Sequence, residues 1–355
     1  SICGRLARSF GFRPVGGGGM GEYLGKLPER DPLYSYLRYE IQPQLCGVHH
    51  PVYRVFRMNA SNDVYLYEEK HSGSRCIGKY FLSAQQNDPE AAARRLDREY
   101  HHLDMMRRNG FSGGWHYIAR PLGRNDFLNK LLVVEFCGGE LLSSILSRGI
   151  RDRDDGLIYA KLTALAWFLA RFHNRTAQPE RVDFQEACSY LDLLCGQLRW
   201  GGVIGSNSSG EIAWLRDRWR EQAKMWSDCR VFVHGDATPE NFLFGDGLHV
   251  ISFDLERLRC ADRIFDTGRI AGEIKHFFLA ATGNRYAAEP FIGHFLWEYA
   301  CHFPDRERTF QETTRRVPFY MGATLLRIAR NSWLDFSYRR QLVYEAKECL
   351  RRWML

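Results

Sequence analysis

The sequence predicts an α+β chain of two lobes, a small antiparallel sheet carrying one long helix followed by a larger, mainly helical lobe. Three observations predict it. Apolar and polar residues alternate with tight turn signals over residues 52–82, a strongly capped amphipathic stretch follows, and beyond Glu140 the apolar period is helical except for short runs around 231–254. A chain of 355 residues is long enough to fill two cores.

Each element has its own signal. Residues 1–39 are rich in Gly, Arg and Pro with weak periodicity, and are expected to form an N-terminal extension broken by the Gly16–Gly19 run. Residues 40–137 form the expected small lobe. Val52–Met58 and Asp63–Glu68 read as strands joined by Asn59-Ala60-Ser61-Asn62, and His71-Ser72-Gly73-Ser74 turns the chain into a third strand, Arg75–Leu82. Asp88-Pro89-Glu90 opens the long helix, with Ala91, Leu96, Tyr100 and Leu103 as its apolar stripe. Leu131–Phe136 is a further strand ending in a hinge at Cys137-Gly138-Gly139. Residues 138–355 form the larger lobe, with helices expected over 157–173, 185–200 and 211–227.

Composition excludes some classes. Apolar residues make up 45% and charged residues 26%, an ordinary globular balance. The net charge of +7 disfavours polycationic partners, and nothing in the pattern calls for nucleic acid. The ten cysteines lack any Cys-x-x-Cys pair and read as thiols of a reducing compartment, so a cytoplasmic location is expected. No apolar run reaches the roughly 18 residues of a membrane span, and no signal-peptide pattern is seen. Oligomeric state leaves no mark in the sequence.

The chemistry concentrates in Val231–Phe244. An apolar strand delivers His234-Gly235-Asp236, Asn241 follows five residues later, and Asp254 ends the next apolar run thirteen residues on. Phosphoryl transfer needs such parts: a carboxylate to orient the attacking hydroxyl, and oxygen ligands to hold Mg²⁺ against a triphosphate.

These residues resemble the aminoglycoside phosphotransferase and choline kinase group, small-molecule kinases with a bilobal protein-kinase-like fold. The resemblance rests on His-Gly-Asp-x-x-x-x-Asn, on Asp254-Leu255-Glu256, and on Asp266-Thr267-Gly268-Arg269 at the family's spacing. It implies ATP and Mg²⁺ as cofactors and a small hydroxyl compound as substrate. Asp236 would be the catalytic base, Asn241, Asp254 and Glu256 metal ligands, and His234 a brace behind the loop. In the kinase scheme a strand lysine on the phosphates pairs with a helix glutamate, and Lys79 and Glu99 stand where that scheme needs them. Ser61 and Asn62 in the first turn would approach the phosphates, and the backbones of Glu135 and Cys137 the adenine.

Other features are weighed against this. Gly16–Gly21 fits Gly-x-Gly-x-x-Gly, but no strand precedes it and it reads as flexible arm. His49-His50 and His101-His102 lack metal spacing, and the tryptophans at 200, 214, 219 and 226 read chiefly as packing residues, with Trp200 and Trp214 flanking a loop that could meet substrate. Arg315, Arg316, Arg327 and Arg330 form either a solvated face or a site for a substrate anion. From Ile270 onward 13 Lys/Arg face 9 Asp/Glu, which points away from polycationic antibiotics and toward a neutral or anionic sugar-like or amino-alcohol acceptor. A non-catalytic nucleotide-binding scaffold is the alternative. A protein kinase is disfavoured by Gly235, where those enzymes carry Arg, and by the lack of an Asp-Phe-Gly triplet.

Overall fold

Strand β1 (Glu22–Lys26), β2 (Tyr53–Arg57), β3 (Asp63–Glu69) and β4 (Arg75–Tyr80) form a meander, and β5 (Pro121–Asn125) and β6 (Leu131–Glu135) complete it. The six lie in the order β1-β2-β3-β4-β6-β5, antiparallel throughout. The computed structural model describes residues 21–58 and 63–354. By contacts the chain divides into a first unit ending at Glu140, to which Ile251–Glu256 also belong, and a second unit holding Leu141–Val250 and Arg257 onward. The antiparallel-sheet region and the mainly helical part correspond to the fold class that the sequence predicts.

Part of the expected extension is built into the first unit. Residues 22–26 pair with β2, through a bulge between Tyr23 and Gly25 where Gly25 takes φ 119°, and that bulge breaks the alternation by which a strand is recognised. The short helix Pro32–Tyr36 and the helical turns that continue it to Leu45 bury Leu33, Tyr34, Leu37 and Ile41 against the tyrosines of the sheet. The Gly16–Gly19 run lies outside the described residues.

Helix α1 (Pro89–Met106) starts as its sequence dictates. The Asp88 carboxylate accepts the N–H groups of Glu90 and Ala91 at 3.0 and 3.1 Å, and Pro89 occupies the first turn, where no N–H is needed. Its buried stripe is Ala92, Leu96, Glu99, Leu103 and Met106, so a carboxylate takes the inward position that the sequence reading gives to Tyr100. Burying that charge requires a partner.

The second unit is built on α2 (Asp155–Asn174), α3 (Phe184–Trp200), α4 (Ile264–Thr282) and α5 (Arg306–Ala329), with β7 (Val231–Val233) paired to β8 (Arg259–Ala261). The expected helix at 211–227 begins earlier and stops sooner, spanning Ser206–Arg220. A glycine pair sets how closely α4 and α5 cross. A Cβ on Gly268 would lie 2.4 Å from the Tyr320 Cβ, and one on Gly272 would lie 2.7 Å from the Thr324 Cβ. Gly268→Ala is therefore expected to cost about 1–3 kcal/mol through overpacking, despite the better helix propensity of Ala. Gly196→Ala, on an exposed helix face with nothing within 4 Å of the new Cβ, should be neutral or stabilising. Thermal melts of the two variants test the crossing, and equal melting points would refute it.

Burial lowers the pKa of His276 in α4 to about 4, while its Nδ1 meets the Tyr338 hydroxyl at 2.8 Å. The folded value lies below the unfolded one near 6.5, so the neutral ring stabilises the fold above that pH. This contribution is lost as pH falls toward 4, up to about 3 kcal/mol. The melting temperature should fall on acidification from pH 7 to 4.5, less steeply for His276→Gln. Parallel pH profiles would contradict this. No helix among the described residues is long and apolar enough to cross a membrane.

Candidate active site

On the first unit, Lys79 lies in a stretch of β4 buried on both faces, between Gly78 and Tyr80, and α1 presents Glu99 to it. The Lys79 Nζ donates to Glu99 Oε2 at 2.7 Å and Asp254 Oδ1 at 2.8 Å, and lies 3.5 Å from Glu256 Oε2. Burial works against the ammonium charge, but Glu99, then Asp254 and Glu256, outweigh it and hold the Lys79 pKa above its ordinary value. Three carboxylates share this one ammonium, with Arg95 donating to Glu256 at 2.5 Å. Burial accordingly pushes the Glu99 carboxyl up to about 7, against the pull of Lys79.

Asp254 adopts φ 60°, a left-handed conformation uncommon outside glycine and mildly costly, of the kind that collects at functional sites. Its neighbour Leu255 is tied back, since the Leu255 carbonyl lies 2.8 Å from the His102 Nδ1. His102 thus has a structural partner, while His101 stays exposed.

On the second unit, Asp236 follows β7 on a loop that only glycine permits. Gly235 has φ 80°, and a Cβ there would fall 2.1 Å from the Arg257 carbonyl oxygen. Neither an arginine nor any other side chain fits that place in this backbone. Behind the loop, the buried Asp266 carboxylate accepts the N–H of His234 at 2.7 Å and of Gly235 at 3.1 Å. The His173 Nε2 lies 3.0 Å from the same group, and its Nδ1 2.8 Å from the Tyr299 hydroxyl. His234 is fully buried and its Nδ1 accepts the Asp236 N–H at 3.3 Å.

The two oxygens of Asp236 differ. Oδ1 accepts Arg269 at 2.8 Å and Arg327 at 3.1 Å, whereas among the described residues Oδ2 meets only the Asn241 amide, at 3.4 Å. Burial is the largest influence on this carboxyl and pushes its pKa up, but Arg327, Arg269 and Arg257 prevail and hold it below its ordinary value. The Asn241 Nδ2 also donates to the Asp236 carbonyl at 2.8 Å. Both partners are oxygens, so the amide orientation is fixed by chemistry, and Oδ1 has no donor among the described residues.

The remaining expected residues are mixed. Ser61 and Asn62 lie outside the described residues. The Glu135 N–H is spent on the Arg120 carbonyl at 2.9 Å, and its carboxylate takes the Tyr117 hydroxyl and the Arg120 N–H. Only its carbonyl could then serve a base. Burial pushes the Cys137 thiol up to about 12, so its side chain is inert. Trp200 stands almost free in solvent at 94% exposure, and Trp214 meets Trp353 edge-on.

The basic group of the last helices does not act as one surface. Arg316 is buried between Asp228 and Asp262, Arg330 donates to Gln197, Arg315 is exposed, and Arg327 reaches Asp236 and Glu273. Sequence reasoning missed three contributors: Arg269, Arg95 and Tyr190, whose hydroxyl accepts Arg269 at 3.0 Å. Arg269 stood at the end of the Asp266–Arg269 run and could have been found there. Arg95 and Tyr190 left no signal beyond helical position.

The carboxylates of Glu99, Asp254 and Glu256 offer oxygens within 4.8 Å of one another, the donor type a hard divalent cation takes. The Lys79 ammonium already stands among these oxygens and meets Asp254 through Oδ1, so Asp254 Oδ2 is the donor that fits such an ion.

A family model described as the phosphotransferase enzyme family matches residues 52–301. No curated protein matches the chain in sequence. Among solved structures, a choline kinase from Cryptosporidium parvum aligns with TM-score 0.58 at 11% identity, over 91% of this chain and 93% of its own. An ethanolamine kinase from Plasmodium vivax gives 0.54 at 11% identity, over 85% and 82%. The ADP-bound aminoglycoside phosphotransferase APH(2'')-Ib gives 0.52 at 13%, over 91% and 97%. At these identities the likeness establishes a kinase-like fold.

Proposed function

Since the chain belongs to the phosphotransferase enzyme family, we propose that it transfers the terminal phosphoryl group of ATP to a hydroxyl of a small molecule, a neutral or anionic sugar-like or amino-alcohol compound. The observation that carries this reading is Lys79, buried and held between Glu99 and Asp254 at 2.7 and 2.8 Å. A lysine kept cationic in this way is a fixed point charge for phosphate oxygens.

Asp236 supplies the acceptor side. Its arginine partners keep it ionised and fix its plane through Oδ1, which leaves Oδ2 to accept the hydroxyl proton and aim the oxygen. A weak base suffices here, because a loose transition state asks mainly for positioning. Asp254 and Glu256 on the first unit are the proposed Mg²⁺ ligands, and on the second unit Asn241 offers its Oδ1 for the same role; the ion when bound would neutralise and orient the phosphates. The Glu135 carbonyl and the Cys137 backbone would meet the adenine, and Ser61 and Asn62 the phosphates. The cysteines among the described residues are unpaired thiols, in keeping with the reducing, ATP-containing cytoplasm.

The test is ADP release with Mg·ATP and a panel of sugars, sugar acids and amino alcohols, with the product followed by phosphorus NMR. One class should stimulate turnover, and chelation should stop it. If no alcohol stimulates and Asp236→Asn leaves the basal rate unchanged, the chain is a nucleotide-binding scaffold instead.

A further inference from the structure

The second unit carries a small surface pocket whose wall includes Tyr190, Glu186, Arg259, Asp262, Phe265 and Tyr320. Tyr190 ties it to the Asp236 loop, because its hydroxyl accepts the same Arg269 that holds Asp236. The guanidiniums of Arg259 and Arg269 both sit over the Phe265 ring, at 4.3 and 4.8 Å from its centroid.

The charges on this wall are unequally engaged. Asp262 is bound by Arg316, the Tyr320 hydroxyl and the Ile264 N–H, and Glu186 pairs with Arg230 at 3.4 Å. Asp183, at the rim, caps α3 through the Gln185 N–H. The exposed side chain of Arg259, by contrast, has no hydrogen bond and no ion pair among the described residues, and its contact is the ring face. Arg257, two residues earlier and exposed, is equally unengaged there, yet lies near enough to lower the Asp236 pKa. The buried Nε atoms of Arg269 and Arg327 also lack an acceptor among the described residues. The arginines around the pocket are therefore largely unspent, while of its three carboxylates Asp262 and Glu186 have arginine partners and the exposed Asp183 has none among the described residues.

We propose that this pocket receives an anionic group of the hydroxyl substrate, a carboxylate or a phosphate ester, held by Arg259 against Phe265, so that the acceptor is a hydroxy acid or sugar acid rather than an amine. A guanidinium already stacked on a ring presents its planar fork with little further ordering, the geometry that grips a carboxylate or phosphate through two parallel bonds. The inference rests on the reading of Asp236 as the group that orients the hydroxyl, and it names the other end of the same molecule.

The test uses the full chain with glycerol, glycerate, glycerol 3-phosphate, galactose and galacturonate, measured for binding by calorimetry at constant ionic strength and for turnover with Mg·ATP. The acids should bind at least tenfold more tightly than their neutral counterparts, and the glycerate and glycerol 3-phosphate arms separate carboxylate from phosphate ester. Arg259→Gln should weaken acid binding at least tenfold and raise the acid KM with kcat within threefold. Arg259→Lys, which keeps the charge but not the fork, should fall between, and melting curves show that both variants are folded. Acids that bind through Arg259 without being phosphorylated would leave the anion site standing and remove the kinase reading. Preferred phosphorylation of neutral or cationic compounds, or an acid affinity within twofold of wild type in Arg259→Gln, would overturn the pocket and leave the kinase reading intact. Absence of acid binding to the wild-type chain would also overturn it.

Discussion

Asp236→Asn is expected to lower acceptor-stimulated turnover by about 10³-fold while Mg·ATP still binds with near wild-type affinity. The amide keeps the size of the side chain but loses the charge that Arg269 and Arg327 fix in place. It also loses the second oxygen, and either rotamer harms the site. With the amide nitrogen toward the arginines, donors face donors. With it toward the substrate, the atom that should accept the hydroxyl proton becomes a donor itself. Binding of ATP should survive because its proposed partners, Lys79, Glu99 and Asp254, are linked to one another and not through Asp236. Stability should fall by about 2 kcal/mol, since Arg269, 2% exposed, loses its charged partner in either rotamer. Assays must therefore run well below the melting temperature. A loss of less than tenfold in turnover with normal folding would remove Asp236 from the chemistry.

That the loop was legible in the sequence and its arginines were not has a physical reason. His234, Gly235, Asp236 and Asn241 interrupt apolar strands within eight residues, and a polar break in a buried run announces itself locally. Lys79 and Glu99 were legible from the order of strands, tight turns and capped helix that the kinase scheme needs, although the helix period by itself had put Tyr100 inward. Arg327 is different. It reaches Asp236 across 91 residues of chain, through a helix crossing whose closeness depends on Gly268 and Gly272 facing Tyr320 and Thr324. No local period encodes that crossing. Arg269 is hidden for a second reason: arginine is ordinarily exposed, and only its ion pair allows it to be buried. The same logic explains why β1 went unread. A strand bent by a bulge at Gly25 lacks the alternation that marks the others, and its pairing with β2 is visible only in three dimensions.

Asp266→Asn should have the largest effect on stability, about 3 kcal/mol or a drop of roughly 10 °C in melting temperature, together with about 100-fold in turnover. Three donors converge on this buried carboxylate: the His234 and Gly235 N–H groups and the His173 ring. Burial, the largest influence on His173, lowers its pKa and keeps the ring neutral at pH 7. Its Nε2 then carries the proton toward Asp266, and its Nδ1 accepts the Tyr299 hydroxyl. An asparagine has one acceptor oxygen where the carboxylate has two, so its amide nitrogen must face at least one of these donors. The loop would have to move to relieve that clash, and Gly235 has no room, with the Arg257 carbonyl already against it. A shift of even 1 Å carries Asp236 away from its hydroxyl, which is how a residue remote from substrate lowers turnover. Burial also pushes the Asp266 pKa up, but the His173 hydrogen bond leads the influences that hold it below its ordinary value. Its stabilising effect is thus complete at neutral pH and lost only as pH falls below about 4. The variant should accordingly show a shallower loss of stability below pH 4 than the wild type. His173→Gln, which removes one donor and leaves both backbone bonds, should cost less on both readouts. If Asp266→Asn melts within 2 °C of wild type, the carboxylate does not hold the loop.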